Sequence, residues 1–203
     1  MSAPLEIAAN VITGVSIFLA GRNNLHTWWT GILGCSLFAM LFYQSNLYAD
    51  VLLQGFFVAS SVAGWWQWRH GRMGEPLPVT HASLRTLLRL AFGGVLVTAA
   101  YGALLHHYTD AYAPFVDSSV LVFSVIAQLL LLQRRVENWP LWILVNAIAM
   151  PLYASRGLYL TAALYGCYLI NAIVSWMVWR TLARKPASPI LSPFEPPPQR
   201  DLP

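Results

Sequence analysis

Neutral polar and aromatic side chains stand inside the long apolar stretches of this chain, and these residues are the best placed to do chemistry. Trp142 and Asn146 are four residues apart, so a helix would place them on one face. Tyr165, Tyr168 and Asn171 step by three along another face. An amide in hydrocarbon needs a hydrogen-bond partner, either on a neighbouring helix or on a ligand. The full set of candidate binding residues is Gln54, Phe57, Gln128, Trp142, Asn146, Tyr165, Tyr168 and Asn171.

This mixture of aromatic rings, amides and hydroxyls predicts a binding site for a flat heteroaromatic ring that carries hydroxyl groups. The ring would stack on the aromatic faces, and a cationic ring would gain cation–π attraction without a carboxylate. The amides would hydrogen-bond a ribose or a carboxamide, and a wrong ligand that leaves them unpaired would be rejected. For any single Asn or Gln, hydrogen bonding between helices is the competing interpretation.

Charged residues avoid the middle of the apolar stretches, and Glu6, Asp50 and Asp117 fall near their ends. Ionisable groups at depth usually mark ion or proton pathways, so the pattern argues against proton- or sodium-driven transport. The sequence also shows no nucleophile–base pair and no cluster of metal ligands in these stretches. We therefore expect no enzyme activity, no cofactor and no metal site.

The elements that must position the candidate residues are membrane-spanning helices. The chain of 203 residues is 57% apolar and only 10% charged, whereas a soluble domain carries about 25% charged residues. A helix needs roughly 20 residues to cross a bilayer. The predicted spans are 5–20, 28–44, 48–66, 86–106, 115–133, 139–154 and 158–179. The net charge of +4 then reflects membrane topology, and we expect no nucleic-acid partner.

The second half of the chain is a rough copy of the first, shifted by 111 residues. Matched pairs include Trp28 with Trp139, Gly55 with Gly166, Trp65 with Trp176 and Trp68 with Trp179. A single span between two triplets gives both triplets the same orientation. The predicted fold class is therefore an all-α integral membrane protein, with seven transmembrane helices in a 3+1+3 parallel repeat like that of SWEET-type carriers.

The repeat divides the chain into four segments. Residues 1–69 form the first three-helix repeat, residues 70–114 a cytoplasmic loop and linker helix, and residues 115–182 the second repeat. Residues 183–203 are rich in proline and are predicted to be a disordered cytoplasmic tail. All Lys and Arg residues except Arg156 fall on one side of this arrangement, which predicts an external N-terminus and a cytoplasmic C-terminus.

Tryptophans gather near the predicted cytoplasmic ends of the spans. Because they recur in both halves, we consider a cytoplasmic gate formed by Trp28, Trp65, Trp68 and Trp139. An aromatic belt at the membrane interface is the competing interpretation.

Several motifs resemble the PnuC family of vitamin transporters. Residues 137–146 resemble the signature of its span six, and residues 124–128 resemble its span five. Residues 64–68 resemble the end of its span three, and residues 156–159 the start of its span seven. The resemblance extends from about residue 6 to residue 180, and its motifs are specific in combination.

The resemblance implies facilitated diffusion of nicotinamide riboside across the bacterial inner membrane into the cytoplasm, without ion coupling. It further implies a homotrimer and a cytoplasmic kinase that traps the substrate. Trp142 and Tyr168 would frame the ring, while the four amides of the candidate set would bind hydroxyls and the carboxamide. Asn146 favours nicotinamide riboside over thiamine. Transport of thiamine or riboflavin is the alternative within the family, and a membrane receptor or scaffold is the alternative from another class.

Overall fold

Seven α-helices account for most of the chain that the computed structural model describes, which comprises residues 3–44, 48–71, 77–109, 112–155, 157 and 159–184. They are α1 Ala3–Gly21, α2 His26–Gln44, α3 Tyr48–His70, α4 Leu84–Tyr108, α5 Pro114–Leu132, α6 Asn138–Ser155 and α7 Tyr159–Arg184. The predicted all-α class is confirmed, and each predicted span coincides with one helix. The predicted tail lies outside the described residues, apart from its first two residues, which continue α7.

Long apolar runs explain why the chain is helical, because a helix satisfies its own main-chain polar groups in hydrocarbon. Four of the helices, α1, α4, α5 and α7, are long and apolar enough to cross a membrane by length and composition. Their outer faces expose large apolar side chains, such as Phe92 at 69% and Leu160 at 87%. Exposed apolar surface on this scale fits contact with lipid.

Local signals set several helix ends. The Ser83 hydroxyl accepts a hydrogen bond from the Thr86 amide at 3.2 Å and caps the start of α4. Pro114 begins α5, where its missing N–H leaves no helical hydrogen bond unmade. Gly71 follows the last residue of α3 with a φ of 53°, a left-handed conformation that glycine adopts at low cost.

The turn between α1 and α2 recurs between α5 and α6 with the same 111-residue shift. Asn23 has a φ of 54° and its counterpart Arg134 has a φ of 52°. In both turns the next residue's amide donates to the carbonyl five residues earlier, at 3.0 Å in the first turn and 2.9 Å in the second. The shift also carries the bounds of α1 onto those of α5. The backbone therefore repeats as the sequence does.

Helix contacts follow the same pattern. Helix α2 packs against α1 and α3, and α6 packs against α5 and α7. The α1–α7 contact is the counterpart of the α5–α3 contact under the shift, and these two contacts join the first three helices to the last three. Helix α4 packs against α5.

The segment before α4 is tied to the turn between α5 and α6. Thr80 and Arg135 form a β-bridge, and the Arg135 guanidinium donates to the Thr80 hydroxyl at 2.8 Å. His81 Nδ1 and Glu137 Oε1 are 2.7 Å apart.

The Arg134 guanidinium lies 4.2 Å from the centroid of the Trp68 ring. Burial lowers the pKa of Arg134 to about 10, so the guanidinium stays charged at neutral pH. The sequence predicted only a loop here.

Candidate functional site

A cavity of about 510 Å³ lies inside the helix bundle, and residues from all seven helices line it. Its size falls within the range of small-molecule sites, roughly 300–1,000 Å³. The lining combines aromatic rings with amides and hydroxyls. Among the lining residues that the structure describes, none carries a positive charge.

The structure brings seven of the eight predicted binding residues together in this lining: Gln54, Phe57, Gln128, Trp142, Asn146, Tyr165 and Tyr168. Asn171 is placed differently. Its amide nitrogen donates to the Ile17 carbonyl at 3.3 Å and ties α7 to α1. Asn171 therefore makes a hydrogen bond between two helices, which is the alternative to ligand binding that the sequence left open.

Two lining amides are almost fully buried, Gln128 at 8% exposure and Asn146 at 5%. The Gln128 amide nitrogen donates to the Ser60 hydroxyl at 3.2 Å, across the contact between α5 and α3. The Ser60 hydroxyl in turn donates to the Phe57 carbonyl at 3.0 Å. This chain of hydrogen bonds fixes the orientation of Gln128 at the cavity wall, where the rigidity of a polar group favours selective binding.

Tyrosines form an aromatic wall on the side of α6 and α7. The ring centroids of Tyr153 and Tyr165 are 5.0 Å apart, and those of Tyr165 and Tyr168 are 5.9 Å apart. Trp142 lies one helical turn before Asn146 on α6, so an aromatic face and an amide point into the same space. Such a wall can hold a planar ring by stacking.

A buried tryptophan cluster meets the cavity lining through Trp28 and Trp139. We use this name for Trp28, Trp68, Trp139 and Trp179, each at most 2% exposed. Trp28 contacts Trp68 with ring centroids 5.0 Å apart, the counterpart pair Trp139 and Trp179 is separated by 5.6 Å, and Trp68 contacts Trp179 at 5.8 Å. The cluster therefore follows the internal repeat and bridges both halves.

Three of the predicted gate residues belong to the tryptophan cluster, and the fourth, Trp65, packs against it. Trp28 and Trp139 line the cavity, and the Trp68 ring meets the Trp28 ring edge-on. Trp65 lies outside the described lining, where the Arg69 guanidinium sits 5.6 Å from its ring centroid. The same cation–π pair recurs between Arg180 and Trp176 at 5.3 Å. An aromatic ring under a cation at the end of a helix is typical of the membrane interface.

Sequence reasoning missed several lining residues. Tyr101 and Leu105 of α4 reach the cavity, although α4 was predicted only to link the two repeats. Asp117 also lines it, beside the apolar Val120 and Leu121. Tyr101 and Leu105 are four residues apart and share one helix face, but their place in the lining depends on how α4 packs against α5. Thr13 and Ser16, three residues apart on α1, carried a similar signal of helical spacing.

The profile of the family described as "Nicotinamide mononucleotide transporter" matches residues 3–181. The chain belongs to this family. Within the nicotinamide mononucleotide transporter family, the chain is 31% identical to the nicotinamide riboside transporter PnuC of Escherichia coli (strain K12), over 93% of this chain and 90% of the relative. The predicted resemblance to PnuC proteins is therefore confirmed.

Other relatives agree with this assignment. The chain is 28% identical to the nicotinamide riboside transporter PnuC of Neisseria mucosa, over 86% of this chain and 71% of that protein. It is 24% identical to the riboflavin/roseoflavin transporter RibM of Streptomyces davaonensis, over 92% and 89% of the two chains. The crystal structure of the vitamin B3 transporter PnuC matches with a TM-score of 0.71 and 26% identity, over 90% of this chain and 83% of the other.

Proposed function

We propose that the chain carries nicotinamide riboside across the bacterial inner membrane by facilitated diffusion. The observation that carries this proposal is the cavity of about 510 Å³, lined by aromatic rings and buried amides, in a member of this transporter family. The family's name refers to the mononucleotide. The described lining, however, offers no cation to neutralise a phosphate, and burying an unpaired phosphate charge is costly. The riboside therefore fits this cavity better than the mononucleotide.

Within this proposal the lining residues divide by chemistry. Trp142 and Tyr168 frame the nicotinamide ring, while Gln54, Gln128 and Asn146 bind the ribose hydroxyls and the carboxamide. Phe57 and Tyr165 complete the aromatic wall, and Asn171 holds α7 against α1. The support is their shared position at the cavity and the burial of both Gln128 and Asn146.

We further propose that all seven helices span the membrane in a 3+1+3 parallel, SWEET-like arrangement. The recurrence of the same turn and of equivalent helix contacts after 111 residues supports two copies of one triplet. The domain limits stay as the sequence predicts them, at residues 1–69, 70–114, 115–182 and 183–203. The bias of Lys and Arg to one side supports an external N-terminus and a cytoplasmic C-terminus.

Transport proceeds without ion coupling, from the outside to the cytoplasm. Support comes from the charged residues of the described helices, which fall within two turns of a helix end. The tryptophan cluster forms the closed cytoplasmic gate, and rocking of the two triplets opens it. A cytoplasmic kinase would then phosphorylate the substrate and keep it inside.

A homotrimer is the assembly that the family resemblance favours. Helix α4 presents a large apolar face, with Leu84 at 70% and Phe92 at 69% exposure. This face is available to lipid or to a neighbouring copy, so it is compatible with a trimer. Mass determination in native detergent micelles would test the assembly directly.

Counterflow in proteoliposomes tests the transport proposal. Vesicles loaded with unlabelled nicotinamide riboside should take up the labelled compound transiently, with saturation, and without a sodium or proton gradient. Riboflavin and thiamine are run in parallel, because RibM is a riboflavin/roseoflavin transporter and similar to this chain. Counterflow with riboflavin or thiamine, and none with nicotinamide riboside, would overturn nicotinamide riboside as the proposed substrate. Absence of counterflow with all three, in protein that still binds a ligand, would favour a receptor.

A further inference from the structure

Two serine hydroxyls border a notch in the cavity wall that the first three helices contribute. Ser16 of α1, Gly31 of α2 and Ser61 of α3 all line the cavity. A Cβ atom at Gly31 would lie 3.2 Å from the Ser16 hydroxyl oxygen and 3.4 Å from the Ser61 hydroxyl oxygen. Both oxygens therefore border the space that the missing Gly31 side chain leaves open. We call this space the hydroxyl notch.

The two hydroxyls of the notch differ in the hydrogen bonds that they can still make. The Ser16 hydroxyl donates to the Thr27 carbonyl at 2.7 Å, and the Thr27 hydroxyl donates to the Ser16 carbonyl at 2.9 Å. The Ser16 proton is thus engaged, but its oxygen can still accept. The Ser61 side chain is 4% exposed, and its hydroxyl has no hydrogen-bond partner among the described residues. Ser61 therefore offers a ligand both a donor and an acceptor.

The internal repeat gives the hydroxyl notch a counterpart of opposite chemistry. The shift of 111 residues carries Gly31 onto Trp142. It carries the two serines onto alanines, Ala127 and Ala172. Both Trp142 and Ala172 line the same cavity. In the proposed parallel arrangement, equivalent residues of the two copies stand at the same depth in the membrane. The cavity therefore has an aromatic side and a hydroxyl side at one level.

We infer that the hydroxyl notch binds a ribose hydroxyl of a nucleoside whose base lies against Trp142. This inference rests on the proposed function, because it assigns an orientation to the same ligand in the same cavity. The ribose hydroxyl donates to Ser16 Oγ and accepts from the Ser61 hydroxyl. A sugar hydroxyl matches this pair because it donates and accepts through one atom, whereas a carboxamide oxygen only accepts and a carboxamide nitrogen only donates.

Ser61 is thus a specificity-determining residue for the sugar. A deoxyribose that lacks the bound hydroxyl would leave the Ser61 hydroxyl without its partner, and an unmade hydrogen bond lowers affinity. The contrast between the two copies also selects one orientation of the ligand. The reverse orientation would place the sugar against Trp142 and Ala172, which offer it no hydroxyl.

The test removes one hydroxyl from the protein and one from the ligand. Dissociation constants are measured by calorimetry on the purified full chain, for nicotinamide riboside and for the three analogues that each lack one ribose hydroxyl. The variant is Ser61→Ala, and Ser175→Ala is its matched control. Ser175 is also a buried helix serine, 2% exposed, but its hydroxyl donates to the Asn171 carbonyl of its own helix and it is not part of the described lining.

Ser61→Ala should weaken nicotinamide riboside binding about fivefold, equivalent to about 1 kcal/mol. One of the three analogues should bind Ser61→Ala and the wild-type protein within about twofold of each other, because the partner of Ser61 is already missing. Ser175→Ala should leave all four constants within about twofold. Equal weakening of all four ligands by Ser61→Ala, or no change for any, would overturn the inference while the proposed function stands. A wild-type protein that binds none of the four would overturn both.

A second variant fills the hydroxyl notch instead of removing a hydroxyl. Gly31→Ala places a methyl group between the two serine oxygens, so it should weaken nicotinamide riboside binding at least about tenfold. Gly55→Ala is the control, because a Cβ atom there would meet no atom within 4 Å. The wild-type protein alone also tests the inference, whether or not the variants fold. Equal affinity for nicotinamide riboside and all three analogues would contradict a bound ribose hydroxyl.

Discussion

Two asparagines on neighbouring helices show how the same side chain can serve two purposes. Asn146 of α6 is buried and lines the cavity, whereas Asn171 of α7 donates to a carbonyl of α1. The sequence placed both in apolar helices and could predict only that each needs a partner. Which neighbour covers each face depends on how the helices pack, and this information is not local in the chain.

Replacement of Asn146 by Leu should abolish uptake of nicotinamide riboside while membrane expression is kept. The reason is that a ligand amide or hydroxyl would lose its partner, at a cost of about 1–3 kcal/mol, or roughly 5- to 150-fold in affinity. Binding by the purified variant is the measurement. Asn10→Leu is the control, because the Asn10 amide donates to the Glu6 carbonyl of its own helix. Unchanged uptake by the Asn146→Leu variant would show that Asn146 is not part of the binding site.

Replacement of Asn171 by Leu should act on stability instead. It removes the hydrogen bond of 3.3 Å between α7 and α1, which is worth about 0.5–1.5 kcal/mol. The unfolding temperature in detergent should fall by a few degrees, while nicotinamide riboside affinity stays within about threefold. A large loss of nicotinamide riboside affinity with no loss of stability would show that Asn171 belongs to the binding site.

At the scale of helices, α3 contains two glycines in opposite surroundings. A Cβ atom at Gly64 would collide with the Trp28 ring, whereas a Cβ atom at Gly55 would meet no atom within 4 Å. Gly64 therefore lets α2 and α3 approach closely and seats Trp28 in the tryptophan cluster. The Trp28 contact could not be predicted from the sequence, in which both positions are glycines in an apolar helix.

Gly64→Ala should destabilise the protein by about 1–3 kcal/mol, because the added methyl group forces Trp28 to move. It should also increase passive leak of nicotinamide riboside through the closed state. Gly55→Ala is the matched control and should be neutral or stabilising by up to about 1 kcal/mol, since alanine favours the helix. Thermal unfolding and vesicle leak assays measure the two effects. Equal behaviour of both variants would contradict close packing at Gly64.

The helices themselves were largely predictable from the sequence. Apolar runs of sufficient length predicted the seven helices of the described chain. The predicted bounds differ from those of the structure by only a few residues at most ends. Polar and aromatic residues at helical spacing also led to seven residues of the cavity lining, which are a minority of that lining. The contributions of Tyr101 and Leu105, and the bridge between Thr80 and Arg135, required tertiary contacts between distant parts of the chain.

At the scale of the whole molecule, the two halves differ in one hydrogen bond at the tryptophan cluster. Trp68 Nε1 donates to the carbonyls of Leu131 and Leu132 at 3.3 and 3.1 Å, which ties α3 to the end of α5. Its counterpart Trp179 has no partner for Nε1 among the described residues. The contact between α3 and α5 is thus hydrogen-bonded at this point, whereas Trp179 is held by ring contacts with Trp68 and Trp139.

Trp68→Phe should therefore lower the free energy of unfolding by about 1–3 kcal/mol, because the Leu132 carbonyl loses the Trp68 N–H and the Leu131 carbonyl keeps only main-chain donors such as the Arg134 N–H. Trp179→Phe keeps an aromatic ring and removes an unpaired N–H group, so its unfolding free energy should change by less than about 1 kcal/mol beyond the loss of ring area. Chemical denaturation of both variants gives the comparison. Equal losses would show that the Trp68 hydrogen bonds add nothing to the contact between α3 and α5.

The close spacing of the clustered rings also gives the molecule an optical signature. Indoles whose centroids are 5.0–5.8 Å apart share electronic excitation, which splits their strong absorption band and produces a paired positive and negative signal in far-ultraviolet circular dichroism. The amplitude of this couplet falls steeply when the rings separate or rotate. On the proposed gate role of the cluster, unlabelled protein in a lipid vesicle would report its own fraction of closed molecules, and the signal could be followed while solute crosses the membrane.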